Sequence, residues 1–509
     1  NSAQGLQREI TDADPDAIAR EIEEIALAAG ADGDGGSFIR AGYGLTSLEV
    51  GSGANGTALW SFFGRSFGHG HLDRLNIGIY GFGMKLSPDL GYPEFATTWP
   101  KRSEWTENTI SHNTVVINEQ RQAANWDGQP VFFKRLPGLS AVELRSENVY
   151  PEVAEVYART LALVELTDEL GYGFDVFRVR GGSDHLLSFH ATPGDPAIEG
   201  LSPVAQGEGT YAGPDVPFGQ RQSDEVPYGF SWLYDVERDA SPGAQWSVDW
   251  HVPDGYRGSS AADNIHLRYH HLTPANEVAF AHGDPPQNKA GNPRRLRYVL
   301  ARRQGEEGLT STFVSLYEPY RETPVIRSVE RVECGQDAEG FDAVAVRVEL
   351  MDGATDWLLS ARGDATITVP GGPSFNGRLA WLRLRDGAVE RASLISGTEL
   401  ALGEFRLTTE APALTGTIMR MDRDLIDDGR IWVEAELPTG DTLVGQQIVI
   451  ENDGARNACY TIERVERDGD LTMLSLGDVS FVRDFVDRSD YSKGYVYDFE
   501  EGAAFTIPH

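Results

Sequence analysis

Phe67-Gly68-His69-Gly70-His71-Leu72-Asp73 is followed by Ser87-Pro88-Asp89-Leu90-Gly91-Tyr92 and by Thr109-Ile110-Ser111-His112-Asn113-Thr114. The chain is organised around this stretch. It holds three of the 11 histidines found in 509 residues, so imidazole is concentrated here. In an extended strand residues i and i+2 point the same way, which predicts His69 and His71 on one face of a strand. Asp89 and His112 can converge on them from neighbouring strands. Two nitrogens and one carboxylate oxygen suit zinc or a similar divalent ion. The run Asn113–Asn118 reads as a strand, which places the third imidazole on a rigid element. Against this stands a plainer reading, in which each histidine is a hydrogen-bonded core residue. Gly68 and Gly70 favour the ligand reading, because glycine in a strand marks close approach by a ligand or another backbone.

The three pieces, in this order and at about this spacing, resemble the core of the heparinase II/III-like polysaccharide lyases, oligoalginate lyases included. The resemblance implies that His71, Asp89 and His112 hold a structural zinc. It also implies that His69 faces substrate as a catalytic residue, with Tyr92 near the place of an active-site tyrosine. A later piece, Asp175 to Gly182, resembles the end of a hairpin in the same family. Such lyases act on acidic polysaccharides outside the cytoplasm, which implies a secreted or periplasmic bacterial protein. They place an (α/α) toroid before the sandwich.

Composition sets limits on these readings. Lys+Arg is 44 and Asp+Glu is 78, a net charge of −34. No nucleic-acid partner is expected, since one would need a basic surface. A polyanionic substrate would be repelled at long range, so a uronate site must be a local basic pocket in an acidic body. No apolar run reaches the roughly 20 residues of a membrane span. Cys334 and Cys459 are the only cysteines; one disulfide is open to them and nothing demands it. Oligomeric state is left open, a homo-oligomer included.

Residues 12–30 read as a helix, with Pro15 in its first turn and Ile18, Ile22 and Ile25 at helical spacing. The resemblance allows this helix to be the end of a toroid whose remainder lies upstream or on a partner chain. From Ser37 the pattern is β throughout. The expected fold is all-β: a helical segment over 1–36, a large antiparallel β-sandwich over 37–410 and a small β module over 411–509. Residues 194–245 read as a long loop-rich insertion. His185 and His190 read as core residues. Solvated or core positions are expected for His266, His270, His271 and His282, because no carboxylate lies at a convincing spacing. The arginines between 294 and 303 read as balancing nearby acids.

On a uronate, β-elimination needs the carboxylate neutralised, a base for the C5 proton and an acid for the departing oxygen. His69 and Tyr92 are the candidates for base and acid. Arg65 can pair bidentately with a carboxylate. Trp99, with Trp60, Trp105 and Trp126, can stack on sugar rings. A metal-dependent hydrolase is disfavoured, as no His-Glu-x-x-His pattern is present. The alternative from another class is a non-catalytic carbohydrate-binding or structural protein of the same fold.

Overall fold

A computed structural model describes residues 36–51, 56–92, 100–126, 128–288, 291–423 and 428–509. The expected helix at 12–30 and Trp99 lie outside the described residues. The first five strands form a sequential antiparallel sheet: β1 Phe38–Arg40, β2 Leu45–Val50, β3 Thr57–Phe62, β4 Asn76–Gly81 and β5 Met84–Ser87. After β6 Val115–Ile117, β7 Gln129–Leu136 and β8 Leu139–Arg145 come β9 Val156–Glu165, β10 Gly171–Arg180 and β11 Asp184–His190. The run continues with β12 Ala197–Glu199, β13 Val204–Ala205, β14 Leu233–Asp239 and β15 Trp246–His251. It ends with β16 Ile265–His271, β17 Glu277–Gly283, β18 Leu296–Gln304 and β19 Thr310–Arg321.

These strands build an eight-stranded sheet, β12-β15-β16-β19-β10-β9-β8-β7, and a six-stranded sheet, β13-β14-β17-β18-β11-β6. Their facing sides share one apolar core with the first sheet, through residues such as Leu59, Ile77, Tyr157, Phe189, Trp250 and Tyr317. The sequence dictates this layering. On β16 the apolar Ile265, Leu267 and Tyr269 alternate with half-buried His266, Arg268 and His270, the period of a strand with one buried face. On β9 and β10 nearly every residue is buried, because both faces are covered. Beyond the eight-stranded sheet, strands between Ile326 and Ile395 cover its second face, burying Phe174, Val346 and Trp381. Residues 413–508 form a separate seven-stranded sheet with its own core, including Ile418, Val433, Leu474 and Phe505. Asn457 of this module donates from Nδ2 to the Ala41 carbonyl at 3.1 Å.

Two expectations are corrected. Residues 66–75 form no strand; His69 and His71 lie in the loop between β3 and β4, and His69 is exposed where His71 is buried. Residues 194–245 are not all loop, since β12, β13 and β14 pair into the two large sheets. Cys334 and Cys459 are both free.

The outer face of the six-stranded sheet positions the site. Leu90, Trp105 and Ile110 pack there against Leu186, Tyr298 and Leu300, so the segments carrying Asp89 and His112 are pressed onto a rigid platform. A buried ion pair fixes the other two segments. Arg159 on β9 donates from Nε and Nη2 to the Asp175 carboxylate at 2.9 and 2.6 Å. Its Nη1 donates to the carbonyls of Leu75 and Asn113 at 2.6 and 2.7 Å. Leu75 takes a left-handed backbone (φ 61°), a conformation leucine adopts only where its surroundings impose it.

Candidate functional site

Four side chains converge where these segments meet: His71, Asp73, Asp89 and His112. Each offers a donor atom, and these atoms all lie within 4.8 Å of one another. His71 Nδ1 stands 3.1 Å from His112 Nε2. His112 Nε2 stands 3.6 Å from Asp89 Oδ2. Two donors each bound to a tetrahedral ion at about 2.0–2.1 Å lie about 3.3 Å apart, so both separations bracket what such an ion requires.

The surroundings fix each donor. His112 donates from Nδ1 to the Asn108 carbonyl at 2.8 Å, which leaves Nε2 as the lone pair facing the cluster. Asn76 donates from Nδ2 to Asp89 Oδ2 at 3.1 Å, and its own Oδ1 receives the Asn113 N–H at 2.9 Å. One amide thus joins the carboxylate donor to the residue after His112. Gly91 N–H donates to Asp89 Oδ1 at 2.8 Å.

Electrostatics favour ligation. Burial and the neighbouring imidazole lower the pKa of His71, and burial lowers that of His112, shifts that favour the neutral form that ligation needs. Burial pushes Asp89 upward, but the imidazoles of His112 and His71 outweigh it and leave the carboxyl below its ordinary range. Asp73 is pushed up to about 6 by burial. Its Oδ1 is buried with no hydrogen-bond partner, a cost that a cation would remove. The donor set therefore fits a divalent ion. Asp73 was not among the residues singled out from the sequence.

His69 stands apart from this cluster. It is exposed, and its Nδ1 meets the hydroxyl of Tyr92, which is 43% exposed. The structure thus brings His69 and Tyr92 together at the surface above the buried donors. On the His69 side is a cavity of about 640 Å³, lined by Phe67, Gly68, Gly70, Arg121 and Gln122 among others. Arg121 stacks 4.1 Å over the Tyr228 ring. On the Tyr92 side a smaller cavity of about 210 Å³ is lined by Asp89, Tyr92, Tyr256, Arg257 and Asn288. Arg65 is exposed on the loop that leads to His69.

The tryptophans divide. Trp126 is 42% exposed and packs edge-on against Phe67 at 5.1 Å, so it can meet a sugar. Trp105 cannot: it is fully buried, its indole N–H donating to the Asp284 carbonyl at 2.9 Å. Trp60 lies against the Gly78 backbone, where no other residue would leave room. His185 and His190 are buried and bonded within the core. Arg295, Arg297 and Arg302 are paired with nearby acids.

Comparison with known proteins finds similarity in this part of the chain. Residues 60–199 match the family described as "Heparinase II/III-like, C-terminal". An exo-oligoalginate lyase of Saccharophagus degradans is 34% identical over 105 residues, 19% of this chain and 13% of that protein. An alginate lyase of Stenotrophomonas maltophilia is 30% identical over 133 residues, 23% of this chain and 18% of that protein. The matches thus span less than a fifth of those relatives. The solved structure of a heparan sulfate lyase from Pedobacter heparinus aligns with a TM-score of 0.44 and 13% identity, covering 66% of this chain and 45% of that one. Among the described residues no helix is long and apolar enough to cross a membrane. The segment that carries the converging donors and the His69–Tyr92 pair thus falls within the part of the chain that is similar to the heparinase II/III-like family.

Proposed function

We propose that this chain supplies the sandwich half of the active site of a polysaccharide lyase, one that cleaves a uronate-containing polymer by β-elimination. The observation that carries this reading is the exposed His69–Tyr92 pair, held above a buried donor set within the family-matched segment. The relatives named as alginate lyases support the substrate class.

In this reading one of the pair removes the C5 proton of a uronate and the electron pair forms the C4–C5 double bond. The C4–O bond breaks, and the other member protonates the departing oxygen. Imidazole and phenol are suited to these tasks, and their contact gives the proton a short path between them. Zinc or a similar ion, when bound, supplies structural cross-linking. His71, Asp73, Asp89 and His112 would hold it, tying the Tyr92 segment to the loop that presents His69. The remaining groups of the lyase site would come from an α-toroid segment or partner chain.

Incubation of the chain, joined by its α-toroid segment or partner chain, with alginate, heparan sulfate, hyaluronan, chondroitin and ulvan tests the reading. Growth of the ultraviolet absorbance of an unsaturated uronate on at least one polymer is expected. Saturated ends, or binding with no absorbance growth, would overturn it in favour of a hydrolase or a binding protein. The exposed Phe67–Trp126 pair would serve a binding protein equally well.

The ion is tested separately. One divalent ion per chain is expected by elemental analysis. His71→Ala should abolish it, and Asp73→Asn should weaken its binding by about 10–100-fold. At about 100 times its dissociation constant an ion adds about 2.7 kcal/mol of stability, so chelation should lower the Tm of the wild type but not of His71→Ala. A full complement of ion on His71→Ala would refute the assignment.

A further inference from the structure

The smaller cavity contains a residue that the elimination chemistry above does not use. Arg257 sits at the centre of the turn Tyr256–Gly258 with φ 52° and ψ 29°, a left-handed conformation that arginine rarely adopts. The turn is built to impose it. Gly255 and Gly258 on either side have φ 77° and 87°. Gly255 N–H donates to the Ser259 carbonyl at 2.9 Å, and Ser259 Oγ donates to the Tyr256 carbonyl at 2.7 Å. Tyr256 is buried and anchors the turn.

The guanidinium is held but not neutralised. Its Nη2 donates to Asn292 Oδ1 at 3.2 Å, and among the described residues it forms no ion pair with Asp or Glu. That is notable in a chain with 78 acids to 44 bases, whose Arg295, Arg297 and Arg302 are all paired. From Asn292 the network continues to the candidate catalytic residue. Asn292 Nδ2 donates to Asn288 Oδ1 at 3.0 Å, and Asn288 Nδ2 donates to the Tyr92 carbonyl at 2.8 Å. Arg257 and Tyr92 line one cavity of about 210 Å³ and are joined by two amides.

Resting on the lyase reading above, we infer that Arg257 binds a uronate carboxylate in this cavity and sets the preference of the Tyr92 side for an acidic sugar. A planar fork with no carboxylate partner of its own matches a substrate carboxylate in bidentate fashion. The strained turn and the asparagine relay fix that fork relative to Tyr92, so a ring seated on Arg257 is presented to the Tyr92 hydroxyl. This provides the local positive site that an acidic chain needs to hold a polyanion.

The test separates recognition from turnover. The full chain is titrated calorimetrically with mannuronate and guluronate trisaccharides and with their carboxyl-reduced counterparts. The wild type should bind one acidic trisaccharide at least about 10-fold more tightly than its reduced form. Arg257→Ala should lose that preference with an unchanged Tm, and Arg257→Lys should retain part of it, since lysine keeps the charge without the fork. Preference surviving in Arg257→Ala would overturn the inference, as would a wild type that binds both forms alike or neither. Failure of the lyase reading shows differently, as an intact acid preference with no unsaturated product from any polymer once the α-toroid segment or partner chain is supplied.

Discussion

Replacing His69 by alanine is expected to lower uronan turnover by about 10²–10⁴-fold, the usual range for a lost acid–base group. At about 1.4 kcal/mol per decade this is about 3–5 kcal/mol of transition-state stabilisation. The bound ion and Tm should stay at wild-type values, because His69 is exposed and contributes no donor to the cluster beneath it. The loop should also keep its shape. Gly68 has φ 76°, and a side chain at Gly70 would come within 2.8 Å of the Arg65 carbonyl, so these glycines and not the imidazole set its course. Tyr92→Phe should fall in the same range, since it removes only the hydroxyl that meets His69. The assay requires a preparation in which the wild type turns over. Turnover of His69→Ala at the wild-type rate would make His69 a neighbour of the ion site and nothing more.

Acidification from pH 6.5 to 4 is expected to unfold the chain or bring it close to unfolding. Burial lowers His185 and His190 to about 4 and His271 to about 3. A histidine with a depressed folded-state pKa binds fewer protons folded than unfolded, so stability falls as pH drops below the ordinary value near 6.5. Each such group costs about 1.4 kcal/mol per pH unit, so three of them over about 2.5 units cost about 10 kcal/mol. Asp73 acts in the opposite sense. Its raised pKa, about 6, means protonation favours the folded state, returning about 3 kcal/mol between pH 6 and the ordinary carboxylate value. The histidines win, and the net loss is comparable with the whole stability of a typical domain. Denaturant midpoints at pH 7, 6, 5 and 4 read this directly. A midpoint constant from pH 6.5 to 4.5 would contradict the burial of neutral imidazoles.

The all-β class was legible because alternation and glycine-rich breaks are local features. The place of the donors was legible because His71, Asp89 and His112 sit in dense, ordered motifs. Asp73 was harder to see. It lies two residues beyond His71, but its burial depends on the loop folding back at Leu75, whose positive φ has no local signature. The expected strand at 69–71 failed for the same reason. The carboxylates that partner His266 and His270 are distant from them in sequence. Asp249 reaches His266 at 2.9 Å and Glu318 reaches His270 at 3.2 Å only through the pairing of β16 with β15 and β19. Trp105 lies close to the motif in sequence, but Gly283 leaves room for its indole inside the core, away from any sugar. Arg257 had no motif at all; its significance depends on a turn conformation and on loops that meet from 92, 257 and 288.

The Arg159–Asp175 pair has a consequence for selectivity among ions. Its guanidinium grips the carbonyls of Leu75 and Asn113, so the backbone on both sides of the donors is set by the central strands rather than by any guest. The receptacle is cast with the protein. Folding then does not wait for an ion, unlike a zinc finger, where capture and folding are one event, although a bound ion still adds stability by linkage. Competing ions would be ranked by radius and by taste for two nitrogens beside carboxylate oxygens. A larger, oxygen-seeking cation such as calcium could not widen the receptacle to its own dimensions without first breaking a salt bridge at the centre of the sandwich.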